Sequence, residues 1–101
     1  MMTHPSKTKG NAFEREIVNS AKDNGLPAER AYASNGRALG ESEEVDCLIA
    51  GKRIQCKRRA KVADYLQIPD GCDAVVFRQD RGDTLVLLRY DEYMKLIDAE
   101  N

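Results

Sequence analysis

Apolar residues recur at helical spacing from Asn11 to Asn24, where Phe13, Ile17, Val18 and Ala21 form a stripe, and Gly25 followed by Pro27 predicts the stop. Ala28 to Ala33 reads as a short strand. Ser34 to Glu44 (SNGRALGESEE) carries two glycines and no period, so it is expected to be a surface loop. Val45 to Ala50 and Lys52 to Arg58 read as two strands of a hairpin turning at Gly51. A short helix is expected between Ala60 and Gln67, and Asp70-Gly71 marks a turn. Ala74 to Arg78 (AVVFR) and Thr84 to Arg89 (TLVLLR) read as strands flanking a turn at Asp80 to Asp83. Asp91 is the expected cap of a last helix whose apolar face is Tyr93, Met94, Leu96 and Ile97. This order predicts an α/β (α+β) fold of about five strands flanked by helices. Residues 1–9, rich in Lys, Thr and Ser, read as a flexible basic arm, and residues 10–101 as a single domain.

Strand alternation sorts the hairpin residues onto two faces. Val45, Cys47 and Ile49 share one face of the first strand, opposite Asp46, Leu48 and Ala50. On the second strand Ile54 and Cys56 go together, opposite Arg53, Gln55, Lys57 and Arg59. Burying both apolar sets places Asp46, Gln55 and Lys57 on the same side, because a one-residue slip would put charges in the core. A carboxylate within the apolar run VDCLIA is costly to desolvate and calls for a cation. A plain cross-strand pairing of Asp46 with Lys57 would answer that need without any further chemistry. On the first helix, at about 100° per residue from Phe13, Glu14 falls inside the apolar arc, while Arg15 and Glu16 fall outside it. Glu14 is therefore the acid predicted to face the sheet. Asn11 and Glu14 also have capping-box spacing, which offers Glu14 a purely structural role.

Length and composition narrow the classes. At 101 residues, 42% apolar and 33% charged, the chain has the make-up of one small globular domain. No stretch approaches the roughly 18 apolar residues of a membrane span, and the polar start lacks a signal peptide's hydrophobic segment, so an intracellular protein with no membrane partner is expected. Cys47, Cys56 and Cys72 lack C-x-x-C spacing and read as free thiols. Sixteen basic residues against seventeen acidic ones leave a net charge of −1, which argues against nucleic acid. The distribution argues for it: Lys52 to Lys61 (KRIQCKRRAK) carries six basic residues and no acid. Such a stripe can neutralise backbone phosphates, and Lys7, Lys9, Arg30 and Arg37 would widen it.

The stretches KTKGNAFEREIV, AERAYASNG, VDCLIAG and RIQCKRR, in this order from Lys7 to Arg59, resemble the archaeal Holliday-junction resolvases and their phage relatives in the PD-(D/E)XK nuclease superfamily. The resemblance implies a restriction-endonuclease-like fold with a central mixed sheet. It also implies a magnesium-dependent nuclease acting as a homodimer on branched DNA, in the cytoplasm of a bacterial, archaeal or phage-infected host cell. Matched by position, Glu14 corresponds to the helix-borne acid, Asp46 to the central metal-ligand acid and Lys57 to the catalytic lysine. Arg15, Arg30 and Ser34 fall where such resolvases keep backbone-contacting or active-site residues. Gln55 departs from the pattern, standing where resolvases have Glu. The string IQCKR looks like that of Mrr-type restriction nucleases, which carry Q-x-K.

On that resemblance, Asp46, the Gln55 amide oxygen and the Cys56 main-chain carbonyl would hold Mg²⁺, or Mn²⁺ in its place, with Glu14 completing the set directly or through water. Gln55 removes one negative charge from the site, so metal affinity should fall. Arg53, Arg58, Arg59 and Lys61 of the basic stripe are DNA-contact candidates together with Lys7, Lys9, Arg15, Arg30, Ser34 and Arg37. Two other functions fit the residues: a non-catalytic DNA-binding module on the nuclease fold, and an interaction protein whose basic strand meets an acidic partner. So small a chain suits recognition of DNA shape better than reading of a long base sequence.

Overall fold

The computed structural model describes residues 5–31 and 43–100, with side chains from residue 10 onward. The fold is α+β: α1 (Pro5–Asp23), β1 (Ala28–Arg30), β2 (Cys47–Ile49), β3 (Lys52–Ile54), a 3₁₀ turn (Asp64–Leu66), β4 (Ala74–Arg78), β5 (Thr84–Leu88) and α2 (Tyr90–Glu100). The expected element order is present. The strands pair as two antiparallel sheets, β1-β2-β3 and β4-β5, where one mixed sheet was expected. The chain forms two compact units, Met1–Arg58 and Arg59–Asn101. No helix among the described residues is long and apolar enough to cross a membrane.

In the first unit, α1 packs on β1 and β2. It begins at Pro5, not Asn11, and so takes in residues assigned to the basic arm. Proline suits a first helical turn, and the apolar period that reveals the helix starts only at Phe13. Asn11 is therefore inside the helix and cannot cap it, which removes the capping-box reading of Glu14. The core joins Val18 and Ala21 of α1 to Val45, Cys47 and Ile49, buried as the two periods predict, and to Leu26 and Ala31, which neither period marks, while Phe13 and Ile17 of the helical stripe are half-buried. β2 lies between its neighbours, with Cys47 opposite Arg30 on one side and Ile54 on the other.

Ala50 and Gly51 form the two-residue turn of the β2-β3 hairpin with φ of 49° and 80°. Positive φ at both positions is the type I′ geometry that matches strand twist, and it strains a non-glycine residue. Ala50→Asn is expected to stabilise the protein by about 0.5–1 kcal/mol, because asparagine tolerates this conformation. A rise in the denaturant midpoint at unchanged slope checks it. The Ala50 amide keeps its bond to the Pro27 carbonyl, at 2.7 Å, in either case.

In the second unit β4 and β5 pair over Ala74–Arg78 and Thr84–Leu88, with Val76 opposite Val86. The short helix expected between Ala60 and Gln67 is reduced to the 3₁₀ turn, whose Tyr65 ring rests 5.8 Å from Phe77. α2 starts at Tyr90, two residues before the Glu92 that an Asp91 cap would give, so Asp91 sits in its first turn instead of capping it, still favourably placed for the helix dipole. Met94 and Ile97 are buried as expected, but Leu96 is 57% exposed.

Candidate active site

The hairpin and α1 hold the residues with chemical potential. The main chain of Asp46 ties it to both neighbouring strands: its amide donates to the Ile54 carbonyl at 2.9 Å, and its carbonyl accepts the Ala31 amide at 2.9 Å. Its carboxylate Oδ2 accepts the Cys56 amide at 2.7 Å. That last bond explains why β3 stops at Ile54 when the sequence predicted a strand to Arg58. A side-chain oxygen replaces the partner strand's carbonyl as acceptor, and the regular ladder ends there. It also fixes the Gln55-Cys56-Lys57 segment against Asp46, with the Gln55 and Lys57 side chains exposed as the alternation predicts.

Glu14 is the one buried acidic side chain among the described residues, 5% exposed, and faces the sheet as the helical wheel requires. Its Oε1 accepts from Arg30 Nε at 3.2 Å, an ion pair in which Arg30 retains 24% of its side-chain exposure. From the sequence, Arg30 was a DNA-contact candidate, and its bond to Glu14 was missed. The available signal was strand phase: Ala28 and Arg30 share the more covered side of β1, where an arginine calls for an anion. Arg15 and Glu16 are exposed, and so are Lys52, Arg53, Lys57, Arg58, Arg59 and Lys61 along the basic stripe. Ser34 and Arg37 lie outside the described residues, as do the side chains of Lys7 and Lys9.

Cys47 and Cys56 sit beside the carboxylates, with their sulfurs 3.9 Å apart. The Cys56 thiol is pushed up from its ordinary value by its hydrogen bond with Cys47, by burial, and by the negative charges of Cys47, Asp46 and Glu14. The Cys47 thiol is drawn the other way, below its ordinary value, chiefly by that same hydrogen bond and against the effects of burial and of the Asp46 and Glu14 charges. The two shifts act on alkaline stability with opposite signs and offset each other.

Among the described residues no three His, Cys, Asp or Glu side chains cluster as a metal site. The set expected from the sequence is of another kind, made of two carboxylates, an amide and a main-chain carbonyl. These are the hard oxygen donors that suit Mg²⁺, which commonly keeps part of its water shell. In donor chemistry the residues fit such an ion. With Glu14 paired to Arg30, Asp46 would be the principal charged ligand for such an ion.

The model of one family, described as archaeal Holliday junction resolvase, matches residues 5–101, which includes both units. The chain belongs to the archaeal Holliday junction resolvase family. No curated protein and no solved structure gives a significant match. As a family member this resolvase is a nuclease of the Holliday-junction type, a function that entails binding branched DNA and a place in DNA recombination. The resemblance seen from Lys7 to Arg59 thus extends through β4, β5 and α2.

Proposed function

We propose that this resolvase is a structure-selective DNA endonuclease that needs a divalent cation and cuts four-way junctions as a homodimer. The observation that supports the reading is the 2.7 Å bond from the Cys56 amide to the Asp46 carboxylate, which ties the main chain between Gln55 and Lys57 to an acid just before β2 in a chain of this family. Asp46, the Gln55 amide oxygen and the Cys56 carbonyl would hold the ion, with Glu14 reached directly or through water. When bound, Mg²⁺ or Mn²⁺ polarises the scissile phosphate and lowers the pKa of water.

The chain's own residues supply the rest. Exposed Lys57 can position the attacking water or stabilise the charge that builds on the phosphate. Arg53, Arg58, Arg59 and Lys61 meet backbone phosphates, aided by Arg15, Lys7 and Lys9, and their contribution weakens steeply with salt. Arg30 keeps Nε on Glu14 and 24% of its side chain exposed, so it can meet DNA through its other N–H groups. One chain carries one such site, so cutting two strands takes two copies.

A labelled four-way junction and a linear duplex, each incubated with the protein in Mg²⁺ or Mn²⁺, test the reading. Paired cuts in the junction are expected, with the duplex largely spared. No cutting in either metal overturns it. A second reading, a DNA-binding module with a decayed site, is favoured by the missing charge at Gln55 and the engagement of Glu14 by Arg30. Gln55→Glu separates the two. For an active enzyme it should lower the Mg²⁺ needed for half-maximal cutting by about tenfold, as one added charge strengthens cation binding. Cutting that emerges only in the variant favours the module.

A further inference from the structure

The side chains of Cys47 and Cys56 have no part in the chemistry proposed above, yet their sulfurs are 3.9 Å apart at its edge. Cys47 is fully buried on β2 and Cys56 is partly exposed beyond β3. Cys47 stands opposite Ile54, so the next residue of the same phase along the strand, Cys56, comes alongside it. A disulfide bond is about 2.0 Å long, so each sulfur needs to move only about 1 Å, within reach of side-chain rotation.

We propose that Cys47 and Cys56 form a reversible dithiol-disulfide site, oxidised by a small disulfide such as oxidised glutathione. The thiol of Cys56, the more accessible of the two, loses its proton to alkaline buffer as it attacks one sulfur of the small disulfide, a step slowed by surroundings that hold that proton. A mixed disulfide forms and a small thiolate leaves, taking up the proton Cys56 has lost. The Cys47 thiolate then attacks the Cys56 sulfur, the mixed bond breaks, and a second small thiol departs with the Cys47 proton. The protein dithiol is oxidised by two electrons as one small disulfide is reduced to two thiols.

Cys56 lies between Gln55 and Lys57, and its amide holds the Asp46 carboxylate. The covalent bond ties the segment that carries both neighbours to buried Cys47 of β2 and restrains its adjustment to substrate, so oxidation slows cleavage. This consequence rests on the nuclease reading; formation of the bond does not.

The test uses the full chain carrying Cys72→Ser, which removes the exposed third thiol. It is treated with oxidised glutathione in mildly alkaline buffer and then with dithiothreitol, while intact mass, peptide linkage and junction cleavage are followed. The expected product has lost two hydrogens, yields a non-reduced peptide joining Cys47 to Cys56, and cuts at least about tenfold more slowly, in keeping with the sensitivity of catalysis to ångström displacements. Dithiothreitol should restore the rate. With Cys47→Ala added, the reaction should stop at a mixed disulfide on Cys56. A native chain that only accumulates glutathione, or crosslinks only in denaturant, overturns the proposal. A crosslinked chain that cuts at the full rate overturns its control of the site. If the reduced chain cuts no junction, the nuclease reading fails, and the mass measurement still decides the disulfide.

Discussion

Asp46→Asn is expected to reduce cleavage of a four-way junction by at least about 100-fold, the scale of losing one preorganised electrostatic group at a reaction centre. Fold and junction affinity should remain. The substitution separates two roles that one carboxylate performs. As an acceptor it takes the Cys56 amide at 2.7 Å, a task an asparagine oxygen can still carry out. As a charge it would, on the proposed function, be the principal anion offered to a cation, because Glu14 is bound to Arg30. Asp46→Ala would lose both roles and mix a folding defect into the result. Cleavage rates in Mg²⁺, junction binding without metal, and the thermal midpoint together provide the check. A variant cutting within about tenfold of the parent would remove Asp46 from the centre of the site.

Arg30→Ala is expected to cost about 2 kcal/mol of stability and to weaken cleavage indirectly. Removing one partner of a fully buried ion pair costs about 3–5 kcal/mol, because the other charge stays in a low-dielectric setting with less compensation. Here Glu14 is nearly closed off from water while Arg30 keeps 24% of its side-chain exposure, which places the effect lower. Combining Arg30→Ala with Glu14→Gln should recover much of the loss, since the second change removes the buried charge that Arg30 offsets. Denaturant unfolding of the single and double variants measures the coupling. If the single variant loses less than about 0.5 kcal/mol, the pair is no more than a surface contact.

The carboxylates illustrate what could be read from sequence. Both periods gave the right faces: period 3.6 put Glu14 against the sheet, and period 2 separated Val45, Cys47 and Ile49 from Asp46 and exposed Gln55 and Lys57. The partners of those acids were not readable. Nothing local links Glu14 to Arg30, sixteen positions along the chain, or Asp46 to the amide of Cys56, ten along. Element ends were misplaced for related reasons. β3 stops at Ile54 because a side chain intervenes in the ladder, and α1 runs back to Pro5 through residues that carry no apolar period.

By itself the sequence determined the order of the elements, the two buried stripes of the first unit, the concentration of positive charge from Lys52 to Lys61 and the motif order that marks the family. These follow from local periodicity, turn chemistry and residue identity, each of which acts over a few neighbouring positions. Only the tertiary structure decided that the strands pair as three and two, that Arg30 serves Glu14, that Asp46 closes β3, and that Cys47 meets Cys56. Each of these depends on which distant backbone or side-chain group arrives within hydrogen-bond or contact distance, and that is set when the chain packs α1 onto the β1-β2-β3 sheet.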